Sequence, residues 1–283
     1  MLLALALLQA AAPVAIERTG AFANRRLTES SGVVASRAHP GVLWTHNDSG
    51  DEGFLYATDL TGADHGRVRV PGIAPVDAED LSEGPCPVSA GWCLYLADTG
   101  DNRETRAWVT VYAVPEPAPP GGPADTQHTT AAPLPLRLRY PDGPHDVEAT
   151  FVTEAGIVYL VTKGRGGTVA VYRVPRTAWT GEGVATAEPV QALAIAGWLG
   201  GARVTGAALS PDGRRVALRT YGDVRVYALR PDGTLQPTDR VCDVRGREPQ
   251  GEAIAFLDAD RLVLTSEASR SEPGPIHVVT CPD

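Results

Sequence analysis

Lysine is almost missing from this chain of 283 residues: its 25 basic residues are 24 Arg and the single Lys163. No basic run interrupts a formal net charge of −9, which excludes a nucleic-acid-binding surface from the expectations. There is no CxxC and no close pair of histidines, so no zinc pattern is present. No GxSxG elbow exists, since ESSG and DSGD lack its flanking glycines, and a serine esterase mechanism has no support. The loop HNDSGD fails the EF-hand pattern, which needs alternating acceptors and a distant Glu; alone it reads as an Asx-type turn. Tryptophan is scarce at 5, and only Trp44 and Trp92 fall near apolar repeat cores, so no sugar-stacking platform for a glycosidase is evident.

Turn-forming residues are plentiful instead, with 30 Gly and 24 Pro spread between short runs of Val, Leu, Tyr and Ala. That composition predicts many short strands and many turns. The first twelve residues, MLLALALLQAAA, are uncharged, too short to span a bilayer, and end in Ala10-Ala11-Ala12. They are expected to be a cleaved secretory signal, although no positive charge opens them and Pro13 follows the cut. Residues 13–283 are then expected to form one secreted or periplasmic domain with no membrane span. Four cysteines fit two disulfides in such a compartment, Cys86 with Cys93 closing a short loop; three pairings exist on paper, and buried thiols are the alternative.

A repeat runs through the strands. LWTHNDSGDEGFLYATD overlays LYLADTGDNRETRAWVTVYAVP, VYLVTKGRGGTVAVYRVP and VALRTYGDVRVYALR, with LVLTSEASRSEPGPIHVVT as a weaker fifth copy. Each is an alternating hairpin. Gly50, Gly100, Gly164 and Gly222 share one turn position, where positive φ is the expected demand. Upstream of each hairpin another strand begins, and aligning Ser31, Glu79, Glu148, Thr205 and Glu252 gives steps of 48, 69, 57 and 47 residues. These are propeller-blade lengths. A fourth strand follows four of the hairpins; the fifth lacks one, and VAIERTGAF near the N-terminus is expected to supply it. The expected fold is all-β, a five-bladed β-propeller, with six blades as the alternative if the proline-rich stretch Pro115 to Pro133 hides structure rather than forming an exposed loop.

In a propeller the first strand of each blade lines a central channel, and the second-to-third turn lies at the same end. Two polar rings therefore converge: Ser31, Glu79, Glu148, Thr205 and Glu252 inside, and Asp48, Asp98, Thr162, Thr220 and Ser266 outside. Three carboxylates and two hydroxyls around one axis call for a hard cation, and calcium accepts such a mixture of oxygen ligands. The plainer reading is that these groups cap strand ends or bind channel water.

The contexts ESSG, DAEDL, DVEAT, VTGAA and QGEAIAF resemble the calcium-activated nucleotidases, the soluble apyrases. The resemblance implies one calcium in the channel, held by a Ser, Glu, Glu, Ser, Glu series that maps to these five positions with Thr205 in place of a Ser. SGVVASRAHPGVLWTHNDSGD, GDNR and SPDGRRVALRTY are also similar to secreted bacterial propellers of the esterase-like phytase type, a likeness that says less about chemistry.

An enzyme of this build would hydrolyse a phosphate ester or anhydride. Asp48 or Asp98 would be the base, Lys163, Arg103 and Arg219 would hold a small anionic substrate, and His46, Tyr221 and Glu267 would complete the wall. Each has a plainer role: rim arginines in solvent, His46 packed beside Trp44, and Asp98 and Asp101 bracing their own turn. The competing class is a non-catalytic, metal-stabilised module that presents its rim to an extracellular protein ligand.

Overall fold

The computed structural model describes residues 14–122, 128–165, 167–195 and 203–281. The leader expected over 1–12 lies outside these, as do residues 123–127 of the proline-rich stretch. Five antiparallel sheets form a five-bladed β-propeller. The innermost strands are Ser30–Ala35, Asp80–Pro85, Val147–Val152, Val204–Leu209 and Gly251–Phe256, in the first to fifth blades. Outward from Gly251–Phe256 come Arg261–Ser266 and Pro275–Thr280, and the N-terminal strand Ala15–Ala21 completes that blade, Ala15 opposite Thr280. The missing outer strand is thus supplied by the other end of the chain.

Among the described residues the proline-rich stretch holds no sixth blade. Its described part contains a two-residue strand, His128–Thr129, which runs parallel to the outer strand Arg67–Arg69 of the first blade. The connection between the third and fourth strands of the third blade behaves alike: Ala185–Thr186 runs parallel to Leu134–Arg139 at the outer edge of the second blade. Each insertion reaches back one blade and covers part of an edge whose amides and carbonyls would otherwise face solvent.

Side chains alternate across every strand, so both faces of each blade are apolar and must be covered by neighbours. Five clusters result, one in each seam. Between the first and second blades Trp44 packs with Leu55, Leu81, Leu94 and Leu96, and between the third and fourth the stacked rings of Phe151 and Tyr159 join Val161, Val216 and Leu218. Backbone bonds lace the seams at the end where the inner strands begin. The Ala78 amide donates to Asp48 O, Val204 to Lys163 O, and Ala268 to Thr28 O. Two disulfides are present, Cys86–Cys93 and Cys242–Cys281, the second joining the outer strand of the fourth blade to the chain just past the third strand of the fifth. No helix among the described residues is long and apolar enough to cross a membrane.

Candidate functional site

Every inner strand opens with the same irregularity. The antiparallel register skips a residue between Ser30 and Gly32, Val147 and Ala149, Val204 and Gly206, and Gly251 and Ala253. The extra residues are Ser31, Glu148, Thr205 and Glu252. In the second blade the Glu79 amide donates to Ala97 O at 2.9 Å, although Ala97 already faces Asp80, which gives the same count of two against one. A bulge re-aims the side chain that it leaves unpaired. The five aligned residues are therefore turned out of the blades and toward one another.

All five are buried, at 1 to 5 % exposure. Ser31 Oγ donates to Glu79 O at 2.7 Å, and Thr205 Oγ1 donates to Glu252 O at 3.0 Å. Each hydroxyl thereby spends its one hydrogen on the next blade, and toward any ligand it offers lone pairs alone. Two groups of carboxylates meet here, with oxygens within 4.8 Å of one another: Asp48, Asp77 and Glu79, and Glu79, Asp146 and Glu148. Glu79 belongs to both. Burial first, then the neighbouring charges of Glu148, Asp48 and Asp77, hold its carboxyl well above the usual range. Burial and a hydrogen-bonded Asp77 push Asp48 up to about 8, and burial lifts Glu148 to about 8 against the pull of Lys163. Glu252 is also raised by burial, and its Oε2, like Asp48 Oδ1, has no hydrogen-bond partner.

Lys163 belongs to this site. Its Nζ lies 2.6 Å from Glu148 Oε1, and although burial works against the ammonium, Glu148 holds its pKa above the ordinary value. Tyr221 Oη donates to Glu252 Oε1 at 3.2 Å, and Gln250 Nε2 bridges Glu252 Oε1 and Glu267 Oε1 at 2.9 and 2.5 Å. Burial and then Glu252 push the Glu267 carboxyl up to about 7.

The remaining expected site residues sit elsewhere. Asp98 Oδ1 accepts the Val76 and Asp77 amides at 3.2 and 3.0 Å and pairs with Arg106 at 3.0 Å, so it positions Asp77 rather than facing the mouth as a free base. Arg219 is 1 % exposed, its guanidinium donating to Ala253 O and Thr265 O and pairing with Glu248 inside the fourth seam. Arg103 is exposed on its turn. His46 is 1 % exposed with Nδ1 against Asn47 O, and burial pushes it down to about 4, so it is a neutral residue of the interior and not part of an open wall.

Sequence reading missed Asp77, Asp146, Asn102 and Arg165. Arg165 pairs with Asp146 and donates to Asn102, whose Nδ2 donates to Asp77 Oδ2 at 3.3 Å. Asp77 and Asp146 each stand two residues before a ring glutamate, in DAED and DVEA, and that shared spacing was the available signal. Positive φ is found at Gly50 and Gly164, whereas at Gly100 the demand is space: a Cβ would lie 2.2 Å from Glu79 Oε1 and 2.6 Å from the Asp77 carboxylate.

Below this ring the channel is crossed by Asp80, which is fully buried. Its Oδ2 accepts the amides of Thr150 at 2.7 Å and Ala207 at 3.4 Å, its Oδ1 that of Leu81 at 2.8 Å, and one carboxylate so ties three blades together. The acidic mouth is closed beneath by this contact.

No family model matches the sequence, and no curated protein matches it. Among solved structures, the chain is similar to the PQQ-bound aldose sugar dehydrogenase of Streptomyces coelicolor, with 14 % identity, a TM-score of 0.51, and 96 % of this chain and 99 % of that one covered. It is also similar to a gluconolactonase of Xanthomonas campestris, at 14 % identity and a TM-score of 0.48 over 94 % of this chain and 89 % of that one. At 14 % identity the likeness to the dehydrogenase speaks for the propeller fold alone. The residues at the mouth, all oxygen donors, form an acidic cluster able to hold a metal ion.

Proposed function

We propose that this is a secreted propeller whose channel mouth holds a calcium ion and hydrolyses a phosphate ester or anhydride. The observation that carries the reading is the convergence of Asp48, Asp77, Glu79, Asp146 and Glu148, oxygen beside oxygen, with Glu79 common to both groups. Buried carboxylates so close must hold protons or a cation. Glu79, Glu148 and Glu252, with the lone pairs of Ser31 and Thr205, are the residues that would hold calcium, as the apyrase resemblance implies. Calcium there would neutralise phosphate oxygens and polarise a water.

The chain's own groups supply the rest. Burial and then the neighbouring Asp77 push the Asp48 carboxyl up to about 8, which suits a group that takes a proton from water and passes it on. Lys163 and Arg165 present fixed positive charge beside the ring for an anionic substrate, with Arg103 farther out on its exposed turn. Asp98 holds the Asp77 backbone in place, and Tyr221 and Glu267 close the wall on the side of the fifth blade. The two disulfides fit an oxidising compartment outside the cytoplasm.

A non-catalytic module is the second reading, favoured by Val76 and Trp108, 68 and 51 % exposed on loops beside Asp77 and Arg106 and suited to anchor a protein ligand. One experiment separates these readings: melt chelator-treated protein, then titrate calcium and magnesium. At a concentration a hundredfold above Kd, a ligand of the folded state adds about 2.7 kcal/mol. A calcium-selective rise that disappears in Glu148→Gln, followed by turnover in a panel of nucleotides and phosphoesters, is the expected result. A calcium rise without turnover leaves the module, and no rise with any divalent ion removes the metal site.

A further inference from the structure

The channel has a second end. On the far side of Asp80 the closing halves of all five inner strands surround a cavity of about 480 Å³, on the face opposite the acidic mouth. That volume is within the usual range for small-molecule sites, roughly 300–1,000 Å³. Its wall is mostly apolar: Val33, Leu81, Phe151, Ala208, Ile254 and Phe256 come from five different strands, and each is buried.

Polar side chains also line it: Ser82 and Thr150 satisfy each other at 2.7 Å, which leaves Ser36, Arg37 and Glu83. Glu83, on the inner strand of the second blade, has a side chain 10 % exposed, and its Oε1 has no hydrogen-bond partner. Arg37 Nε stands 3.4 Å from that oxygen, but its guanidinium lies over the Trp92 ring at 4.1 Å. Behind Ser36, which also lines the cavity, is a second carboxylate. Glu116 Oε1 accepts from Ser36 Oγ and from Trp44 Nε1 at 3.1 Å, and its Oε2 is buried without a partner. Arg37 thus pairs with Glu83 alone, while Glu116 adds a second carboxylate behind it. Burial pushes Glu83 up to about 7, with Arg37 pulling it down and Glu116 raising it further.

We propose that this cavity binds a small hydrophobic cation, a primary amine with an aliphatic or aromatic body, whose ammonium pairs with the Glu83 carboxylate while the body fills the space between the strands. An anionic ligand of the same shape would have to draw Arg37, which also lines the cavity, away from Glu83 and the Trp92 ring. A neutral one would gain the apolar contacts but leave the charge unmatched. The site is independent of the calcium ring, because the Asp80 contacts lie between them.

Hexylamine, hexanol and hexanoate carry one chain with three head groups, and calorimetric titration of the full-length protein at pH 8 compares them directly. The expected order is saturable binding of hexylamine, hexanol at least tenfold weaker, and hexanoate weaker still. Glu83→Gln should weaken hexylamine at least tenfold and leave hexanol unchanged, whereas Ala208→Leu, which narrows the cavity without touching Glu83, should weaken both. Glu148→Gln, at the other end of the channel, should change none of them. Hexanol binding as tightly as hexylamine, or hexylamine binding that survives Glu83→Gln, overturns the proposal. So does hexylamine binding that disappears in Glu148→Gln, since the amine would then be held among the acidic groups of the mouth.

Discussion

Glu79 decides whether the mouth is a cation site or a set of strand caps, because it is the residue both carboxylate groups share. Gly100 tests it without altering any charge. The atoms nearest an added Cβ are the ends of the Glu79 and Asp77 side chains, which can move aside at small cost in a cation-free protein. A cation would fix those same carboxylates and make the clash felt. Gly100→Ala is therefore expected to leave the chelator-treated melting temperature within about 2 °C of the parent, in keeping with surface-scale effects of about 0.5 kcal/mol. Calcium affinity should fall at least tenfold. Equal affinity in the two proteins, measured by calorimetry, would mean that Glu79 is not a ligand. At this scale legibility was uneven. The ring residues were visible because five short contexts align, but Arg219 and Arg165 were not told apart. Arg219 lies within the strand Arg215–Thr220, where the pleat sends it into the seam, and Arg165 lies on the turn, free to fold back over Asp146.

Bulges and edges are the elements that matter. Four inner strands place a bulge at the residue that the aligned motifs pick out, and the second blade matches them through a backbone bond. The hairpins and fourth strands could be read from alternation and turn residues, as could the borrowed N-terminal strand. Bulges could not, because an extra residue in one strand shows only against its partner. The two short parallel strands were invisible for a similar reason: two residues carry no periodicity. Their role is to cover edges, which makes a prediction for the proline-rich stretch. Leu134 already faces Ala113 across the hairpin, so residues 117–132 can be replaced by a short glycine-serine linker without moving the strands. Calcium binding should be unchanged, and light scattering should show concentration-dependent association through the bared edge of Arg67–Arg69. A variant that stays monomeric would deny the edge that role.

For the whole molecule, stability should depend on pH in a direction set by the crowded carboxyls. Asp48 and Glu148 titrate near 8 and Glu267 and Glu83 near 7, all raised first by burial. Each keeps its proton in the fold over a range where the unfolded chain, at ordinary carboxylate values, has lost it. Their favourable contribution is thus complete below the unfolded values and is lost as pH rises through the folded ones. His46, pushed down to about 4 by burial, opposes this below its ordinary value of 6.5, but it is one group against several. Chelator-treated protein is expected to melt at a higher temperature at pH 5 than at pH 8, and saturating calcium should raise the melt most at pH 8, where the ring has shed its protons. A melt without calcium that climbs from pH 5 to pH 8 would place other groups in control.

Ring closure also orders events in time. Ala15–Ala21 leaves the ribosome before any of the blades is made, yet its strand partner among the described residues is Pro275–Thr280, in the fifth blade. Cys242 likewise waits for Cys281. Blades one to four can collapse as they are made, but the fifth cannot be finished until Pro275–Thr280 has emerged, and until then a bare strand stays at each end of the sheet stack. Contacts this distant along the chain are slow to form and prone to intermolecular error. The slowest folding phase should therefore belong to the joining of the chain's two ends, after every other blade is in place.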